Sequence, residues 1–271
     1  MPELPEVETT LRGIQPYLLD AKLTDVTVRN SSLRWPVPVD ELTLLVGERI
    51  VDASRRAKYL LIELSSGTLL IHLGMSGSLR VLDSSAEVGK HDHIDLELNH
   101  DKVLRFNDPR RFGSFLLTKD DPLCHPLLVQ LGPEPLTDEF DGNLLFSKSR
   151  QRKIAVKNFI MNGHIVVGVG NIYASEALFM AGVRPTRAAN KVTRKEYALL
   201  AENIKRVLAR SIKQGGTTLR DFTQADGQAG YFKQQLQVYD RDGEPCRECQ
   251  RPIEKRVIGQ RSSFYCPVCQ K

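Results

Sequence analysis

Between residues 21 and 118 the apolar positions fall in short runs, not at helical spacing. AKLTDVTVRN, KYLLIELSSGTLLIHLGM, GSLRVL, HDHIDLEL, KVLRFNDP and FGSFLLT are rich in Leu, Ile and Val, and turn signals such as Ser65-Ser66-Gly67 separate strand from strand. This pattern predicts an antiparallel sandwich or barrel. Ahead of it, Val7, Leu11 and Ile14 lie at helical spacing, with Glu6 and Glu8 in the expected first turn, where the helix dipole favours acids. One helix should therefore lead into the sheets.

The period changes after LGPEPLTDEFDGN (131–143), a stretch of Pro, Gly and acids that reads as a linker. QRKIAVKNFIM sets Ile154, Phe159 and Ile160 among basic residues, and NIYASEALFMAG gives a second helical pattern. The strongest follows in TRKEYALLAENIKRVLARSIKQGG. Thr193 and Glu196 form a capping box there, Leu199, Ile204, Val207 and Leu208 stripe one side, and Gly215-Gly216 closes it.

At the C-terminus, Cys246-Arg-Glu-Cys249 and Cys266-Pro-Val-Cys269 form two CxxC knuckles, the spacing of a tetrahedral zinc site. The strand-like KRVIGQ and SSFYC between them suggest a β-hairpin finger too small to fold without its metal. Four thiolates leave no position for water, so one structural Zn2+ is expected. Cys124, the fifth cysteine, is expected to be a buried small apolar residue.

Charge sharpens this picture. The 271 residues carry a net +5, but residues 1–146 hold 15 Lys and Arg against 23 Asp and Glu, and residues 147–271 hold 23 against 10. The halves are therefore −8 and +13, and the second has the footprint of a polyanion binder, although a solvated basic face gives the same count. No apolar stretch of about 18 residues spans a membrane and no signal-peptide pattern opens the chain, so a cytoplasmic protein without membrane association is expected.

Two stretches carry candidate chemistry. Gly168-Val-Gly-Asn-Ile-Tyr173 lacks the third glycine of a dinucleotide fingerprint and follows a helical segment; it reads better as a tight turn whose helix amides, with Asn171, accept a phosphate. A turn that needs glycine for backbone reasons alone is the alternative. At the start, MPELPEVE sets Pro2 beside Glu3. Once Met1 is removed, Pro2 offers a secondary α-amine that titrates far below lysine and gives an iminium with an aldehyde-level carbon, and Glu3 stands ready to move protons. Pro and Glu are also ordinary residues for a helix start.

MPELPEVE, HLGMSG (72–77), DPRRFG (108–113), GVGNIYASE (168–176) and the four-cysteine finger, in this order, resemble the bacterial formamidopyrimidine-DNA glycosylase family along the whole chain. The resemblance implies an α+β multidomain protein: an N-terminal β-sandwich with a leading helix at 1–132, a linker at 133–146, a helix-two-turn-helix domain at 147–234 and a zinc finger at 235–271. It implies DNA held in the cleft between the halves. The implied enzyme is a DNA-formamidopyrimidine glycosylase and abasic-site lyase of base-excision repair, monomeric, acting on duplex DNA that contains 8-oxoguanine or formamidopyrimidines. Pro2 would attack C1′ and Glu3 would assist ring opening and base departure. Lys58 is matched to β-elimination and Arg261 to δ-elimination. Since an arginine is a poor acid, Arg261 is expected mainly to clamp the phosphate. Met75, Arg110 and Phe112 would fill the void left by the everted base, a role set against ordinary sheet core for Met75 and Phe112. His91, Arg152 and Asn171 match further DNA contacts, and residues 217–232 match a loop expected to cover the everted base and to be mobile without DNA. The chain departs from the family at Asn162 and His164, where Asp and Lys are frequent.

Two other readings remain. An endonuclease VIII-type enzyme would take oxidised pyrimidines, but Leu4, HLGMSG and DPRRFG favour the purine branch. A non-catalytic zinc-finger DNA-binding protein would need neither a free proline nor an adjacent carboxylate.

Overall fold

The computed structural model describes residues 2–216 and 235–271, in two compact units: residues 2–129 with 214–216, and residues 130–213 with 235–271. The expected covering loop, 217–232, lies outside the described residues.

In the first unit, α1 (Leu4–Leu18) buries Leu4, Val7, Leu11, Ile14 and Leu18 along one face. Each such side chain contributes roughly 1.5–3 kcal/mol by leaving water, which fixes the start of the chain in place. Glu6 lies in the first turn as expected, whereas Glu8 lies a turn further on. Two four-stranded antiparallel sheets follow, ordered β1-β6-β7-β5 and β2-β3-β4-β8. Their strands are β1 (Leu23–Val28), β2 (Ile50–Arg56), β3 (Tyr59–Leu64), β4 (Gly67–His72), β5 (Ser78–Asp83), β6 (Asp92–Leu98), β7 (Lys102–Asn107) and β8 (Ser114–Thr118). One apolar core joins both sheets to α1, with Leu60, Ile62, Leu69 and Ile71 from one and Ile94, Leu96, Leu104 and Phe106 from the other. The sandwich is as expected. The short helix α2 (Val39–Thr43) and the strand β2 were not read from the sequence. In β2 the register shifts between Ile50 and Asp52, so its inward residues Ile50 and Ala53 do not alternate.

The second unit holds α3 (Gly142–Ser149), α4 (Val156–Ile160), α5 (Asn171–Met180) and α6 (Arg194–Lys213). The α6 capping box forms: the Thr193 N–H donates to Glu196 Oε2 at 2.8 Å and the Glu196 N–H to Thr193 Oγ1 at 3.3 Å. Its buried stripe is Tyr197, Leu200, Ala201, Ile204, Val207 and Leu208; Leu199, expected there, is exposed, one position off the face. Ile154 is likewise exposed and precedes α4. Helix α3 begins inside the stretch expected to be linker. Asp141 caps it, accepting from the Leu144 N–H at 2.7 Å, and Gly142 lets it approach α6, since a Cβ there would sit 2.4 Å from Ala198 Cα. The finger is a hairpin of β9 (Glu254–Ile258) and β10 (Arg261–Tyr265) over a small core of Val238, Ile253 and Phe264. Among the described residues no helix is long and apolar enough to cross a membrane.

Candidate active site and nucleic-acid interface

Pro2 and Glu3 are both buried at the head of α1. Glu3 is the N-cap, and its N–H donates to Glu6 Oε2 at 2.9 Å, so the helix's own first turn holds the segment that carries Pro2 and Glu3. A second tie runs through Glu8. It receives Arg12 Nε and Arg55 Nε, each at 2.9 Å, and Arg55 Nη1 donates to the Ala57 carbonyl at 2.8 Å. Burial raises the Glu8 carboxyl, but the hydrogen bonds and charges of Arg55 and Arg12 bring it below its ordinary value. Ala57 and Lys58 form the two-residue turn between β2 and β3, with Ala57 in the left-handed region at φ 56°. That conformation costs roughly 1–2 kcal/mol in a non-glycine residue, and the Arg55 bond holds it. The turn that presents Lys58 is thus tied to the helix that presents Pro2.

Lys58 also bears on His72, the last residue of β4. Burial first, then the charges of Lys58 and Arg34, push the His72 imidazole down to about 4. Neutral at physiological pH, its Nδ1 accepts the Gly74 N–H at 2.9 Å, which leaves the ring proton on Nε2. Gly74 is at φ 63°, and a Cβ there would come within 2.4 Å of Gly113 N and of the Phe112 carbonyl carbon. The 74–77 turn and the 108–113 loop therefore lie directly against each other.

Asp108, fully buried, ties those segments together. Oδ1 accepts Ser76 Oγ at 2.8 Å and the Arg110 N–H at 3.2 Å, and Oδ2 accepts the Gly113 N–H at 2.8 Å. Its carbonyl accepts His93 Nε2 at 2.8 Å, and its N–H donates to the carbonyl of His91 at 3.0 Å, so His91 belongs to the same cluster. On this base stand Met75, 38% exposed, and Phe112, 45% exposed, with the Arg110 guanidinium 4.9 Å from the Phe112 ring centre. The core alternative for Met75 and Phe112 is thus excluded.

In the second unit Asn171 opens α5. It is not free to receive a ligand with its whole amide: Oδ1 accepts Lys157 Nζ at 2.6 Å and Nδ2 donates to the Ser262 carbonyl at 2.9 Å. Lys157 is fully buried and also donates to Ser263 Oγ at 2.6 Å, so one ammonium joins α4, α5 and the finger strand that begins with Arg261. Arg261 itself is exposed. Glu176 anchors the chain entering the finger, accepting the N–H groups of Gln237, Val238 and Tyr239 at 2.8, 3.0 and 2.9 Å. Burial raises its carboxyl above the ordinary value against those three bonds. Arg152 is exposed beyond the end of α3.

The four finger sulfurs lie within 4.8 Å of one another, with Cys249 and Cys266 3.4 Å apart and Cys246 and Cys269 4.0 Å apart. Tetrahedral Zn–S bonds of about 2.3 Å place sulfurs at about this separation, so the site fits zinc. Cys124 departs from expectation: it is exposed, in a short turn at Pro122–Cys124.

Lys157, Asp108, Glu176, His72 and the Glu8–Arg55 pair were not singled out from the sequence. His72, Asp108 and Glu176 lie inside the quoted motifs without a role assigned to them, and Lys157 shows only as a charge beside the apolar Val156, Phe159 and Ile160 of α4, which point inward with it.

The two units define a class: a β-sandwich that starts on a buried proline and glutamate, and a helical unit that carries a four-cysteine structural zinc finger. Known proteins specify it. Residues 1–115 match the family described as formamidopyrimidine-DNA glycosylase N-terminal domain, 131–223 the H2TH domain of the same enzyme, and 243–271 the zinc finger found in FPG and IleRS. The formamidopyrimidine-DNA glycosylases of Alcanivorax borkumensis and Thioalkalivibrio sulfidiphilus are 59% and 56% identical, each over 100% of both chains. Among solved structures, the MutM (FPG) protein of Thermus thermophilus is 38% identical at a TM-score of 0.89, covering 99% of this chain and 98% of its own. A Lactococcus lactis FPG mutant, in complex with DNA containing Fapy-dG, is 32% identical at 0.92 over 100% of each chain. The chain belongs to the formamidopyrimidine-DNA glycosylase family.

Proposed function

We infer that this protein is a bifunctional base-excision-repair enzyme that removes oxidised purines, chiefly 8-oxoguanine and formamidopyrimidines, from duplex DNA and then cuts the strand. The observation that carries this reading is the head of α1: a buried proline, an amine once Met1 is removed, beside a buried carboxylate, tied through Glu8, Arg55 and Ala57 to the turn bearing Lys58.

The chemistry follows from these groups. The Pro2 nitrogen attacks C1′ of the damaged nucleotide, the base leaves with its bonding electrons, and Glu3 moves the proton that opens the sugar ring. The resulting iminium acidifies the neighbouring sugar carbon. Lys58 assists loss of that proton, the 3′ phosphate departs, and the 5′ phosphate follows. Arg261 clamps the phosphate, since a guanidinium stays charged. Met75 and Phe112, exposed on the base that Asp108 organises, wedge into the stack, while Arg110 faces the orphaned cytosine. His91, Arg152 and Asn171 hold the backbone. Zinc is held by Cys246, Cys249, Cys266 and Cys269, and with no open position it supplies fold and not chemistry. As a DNA enzyme the protein would work at the nucleoid.

The test is borohydride trapping on 8-oxoguanine duplex. A covalent complex should form through Pro2, fall in Pro2→Gly, and disappear when an uncleaved tag blocks the terminus. A cross-link that survives the blocked terminus would move the nucleophile elsewhere; none with wild type would favour a binding-only protein.

A further inference from the structure

Arg105 lies on β7 between Leu104 and Phe106, whose side chains enter the core of the sandwich, so its own side chain leaves by the opposite face of the sheet. It is nevertheless only 4% exposed. The segment that meets it there is 84–91, the connection from β5 to β6, which ends on His91.

The guanidinium has two sets of partners. Its Nε and Nη2 donate to Asp95 Oδ1 and Oδ2, each at 2.9 Å, a bidentate pair with the residue directly across on β6 that fixes the plane of the fork. Asp95 is held in turn by Arg29 Nη2 at 2.7 Å. From that fixed plane Arg105 Nη1 donates to the carbonyls of Glu87 at 2.8 Å and Ala86 at 3.3 Å. A second hold comes from Asp92, beside His91: Oδ2 accepts the Gly89 N–H at 2.6 Å, and Oδ1 accepts Asn107 Nδ2 at 2.8 Å. His91 is thus fixed from both directions, by these bonds to the residues before it and by the Asp108 N–H on its own carbonyl.

Stability alone does not account for these residues. A buried arginine–aspartate pair contributes little beyond what apolar side chains of the same volume would, but it sets direction, because the fork is planar and its bonds have one geometry. Residues 86–90 form neither helix nor strand, so side-chain bonds take the place of a ladder in setting their course.

We propose that Arg105, with Asp92, is a positioning residue for DNA binding: the two set the course of residues 84–91 and hence the place from which His91 meets the DNA backbone. Arg105 acts from beneath the segment and does not touch DNA. The proposal rests on the DNA reading above, and its test separates the two.

The test is a double-mutant cycle on the full-length zinc-loaded protein, read by affinity for a duplex containing a tetrahydrofuran abasic analogue. Arg105→Lys keeps the charge but loses the fork, so it cannot serve Asp95 and both carbonyls together. It should weaken binding roughly tenfold, as should His91→Ala. In the double variant the losses should not multiply, leaving binding as weak as in His91→Ala alone. Asp92→Ala frees the Gly89 amide while leaving the Arg105–Asp95 pair in place, and should show the same dependence on His91 even where Arg105→Lys fails to fold. Losses that multiply, or no loss in Arg105→Lys and Asp92→Ala, would overturn the proposal and leave DNA binding intact. A His91→Ala that binds as wild type does would remove the contact being positioned, and the proposal with it. A wild type that binds no duplex would instead overturn the DNA reading on which both depend.

Discussion

A carboxylate whose oxygens all meet loop donors, as at Asp108, fixes more than its own position. Removing it strands the Ser76 hydroxyl and the Gly113 amide beneath Met75 and Phe112, a loss of about 1–3 kcal/mol. Asp108→Ala should therefore lower excision of 8-oxoguanine from duplex by roughly tenfold or more. Cleavage of single-stranded abasic DNA, which needs no void-filling, should change little. Asp108→Asn keeps one acceptor oxygen but turns its NH2 toward the donor that met the other, so it should fall less than Asp108→Ala. If Ala and Asn fall together, or if the single-strand activity falls with duplex excision, the positioning role is wrong. Asp108 was quoted within DPRRFG but given no role, because its nearby partners are backbone N–H groups, which any sequence supplies, and its side-chain partner Ser76 lies 32 positions away. Lys157 was hidden the same way, meeting Ser263 at 106 positions. Pro2 and Glu3, by contrast, were legible as candidates in MPELPEVE, although it was the resemblance, not the local pattern, that favoured nucleophile over helix start.

Elements with one clean period were read directly: α1, α6, the β3–β4 hairpin and the finger. Those missed break the pattern for physical reasons, β2 by its register shift and α3 by a glycine-led start that relies on contact with α6. The finger is the element least able to stand alone, since its core is a few apolar side chains around the sulfurs. Metal binding there is folding energy. Chelating zinc, or Cys246→Ser, should abolish hydrogen-exchange protection in β9 and β10 and with it DNA binding, while β3, β4, β6 and β7 keep theirs. Loss of protection in those sandwich strands in the same sample would show that the finger supports the first unit as well.

For the whole molecule the net +5 is a poor guide, because it averages −8 over residues 1–146 with +13 over residues 147–271. A uniformly charged protein of that net value would gain little from phosphate contacts, whereas a chain with its cations gathered on DNA-contacting elements releases counterions on binding. In the proposed roles, Lys58, Arg152 and Arg261 neutralise about three phosphates. Each contributes about −0.9 to the slope of log K against log salt, so the predicted slope is about −2.7. A tenfold rise in salt should then weaken binding about five-hundredfold. Arg261→Ala should make the slope shallower by about one, equally on lesion and undamaged duplex, because a phosphate contact carries no base information. A flat salt response would remove the phosphate-clamp assignment. An unchanged slope in Arg261→Ala, with weaker binding to lesion DNA alone, would instead place that arginine on the damaged nucleotide's base.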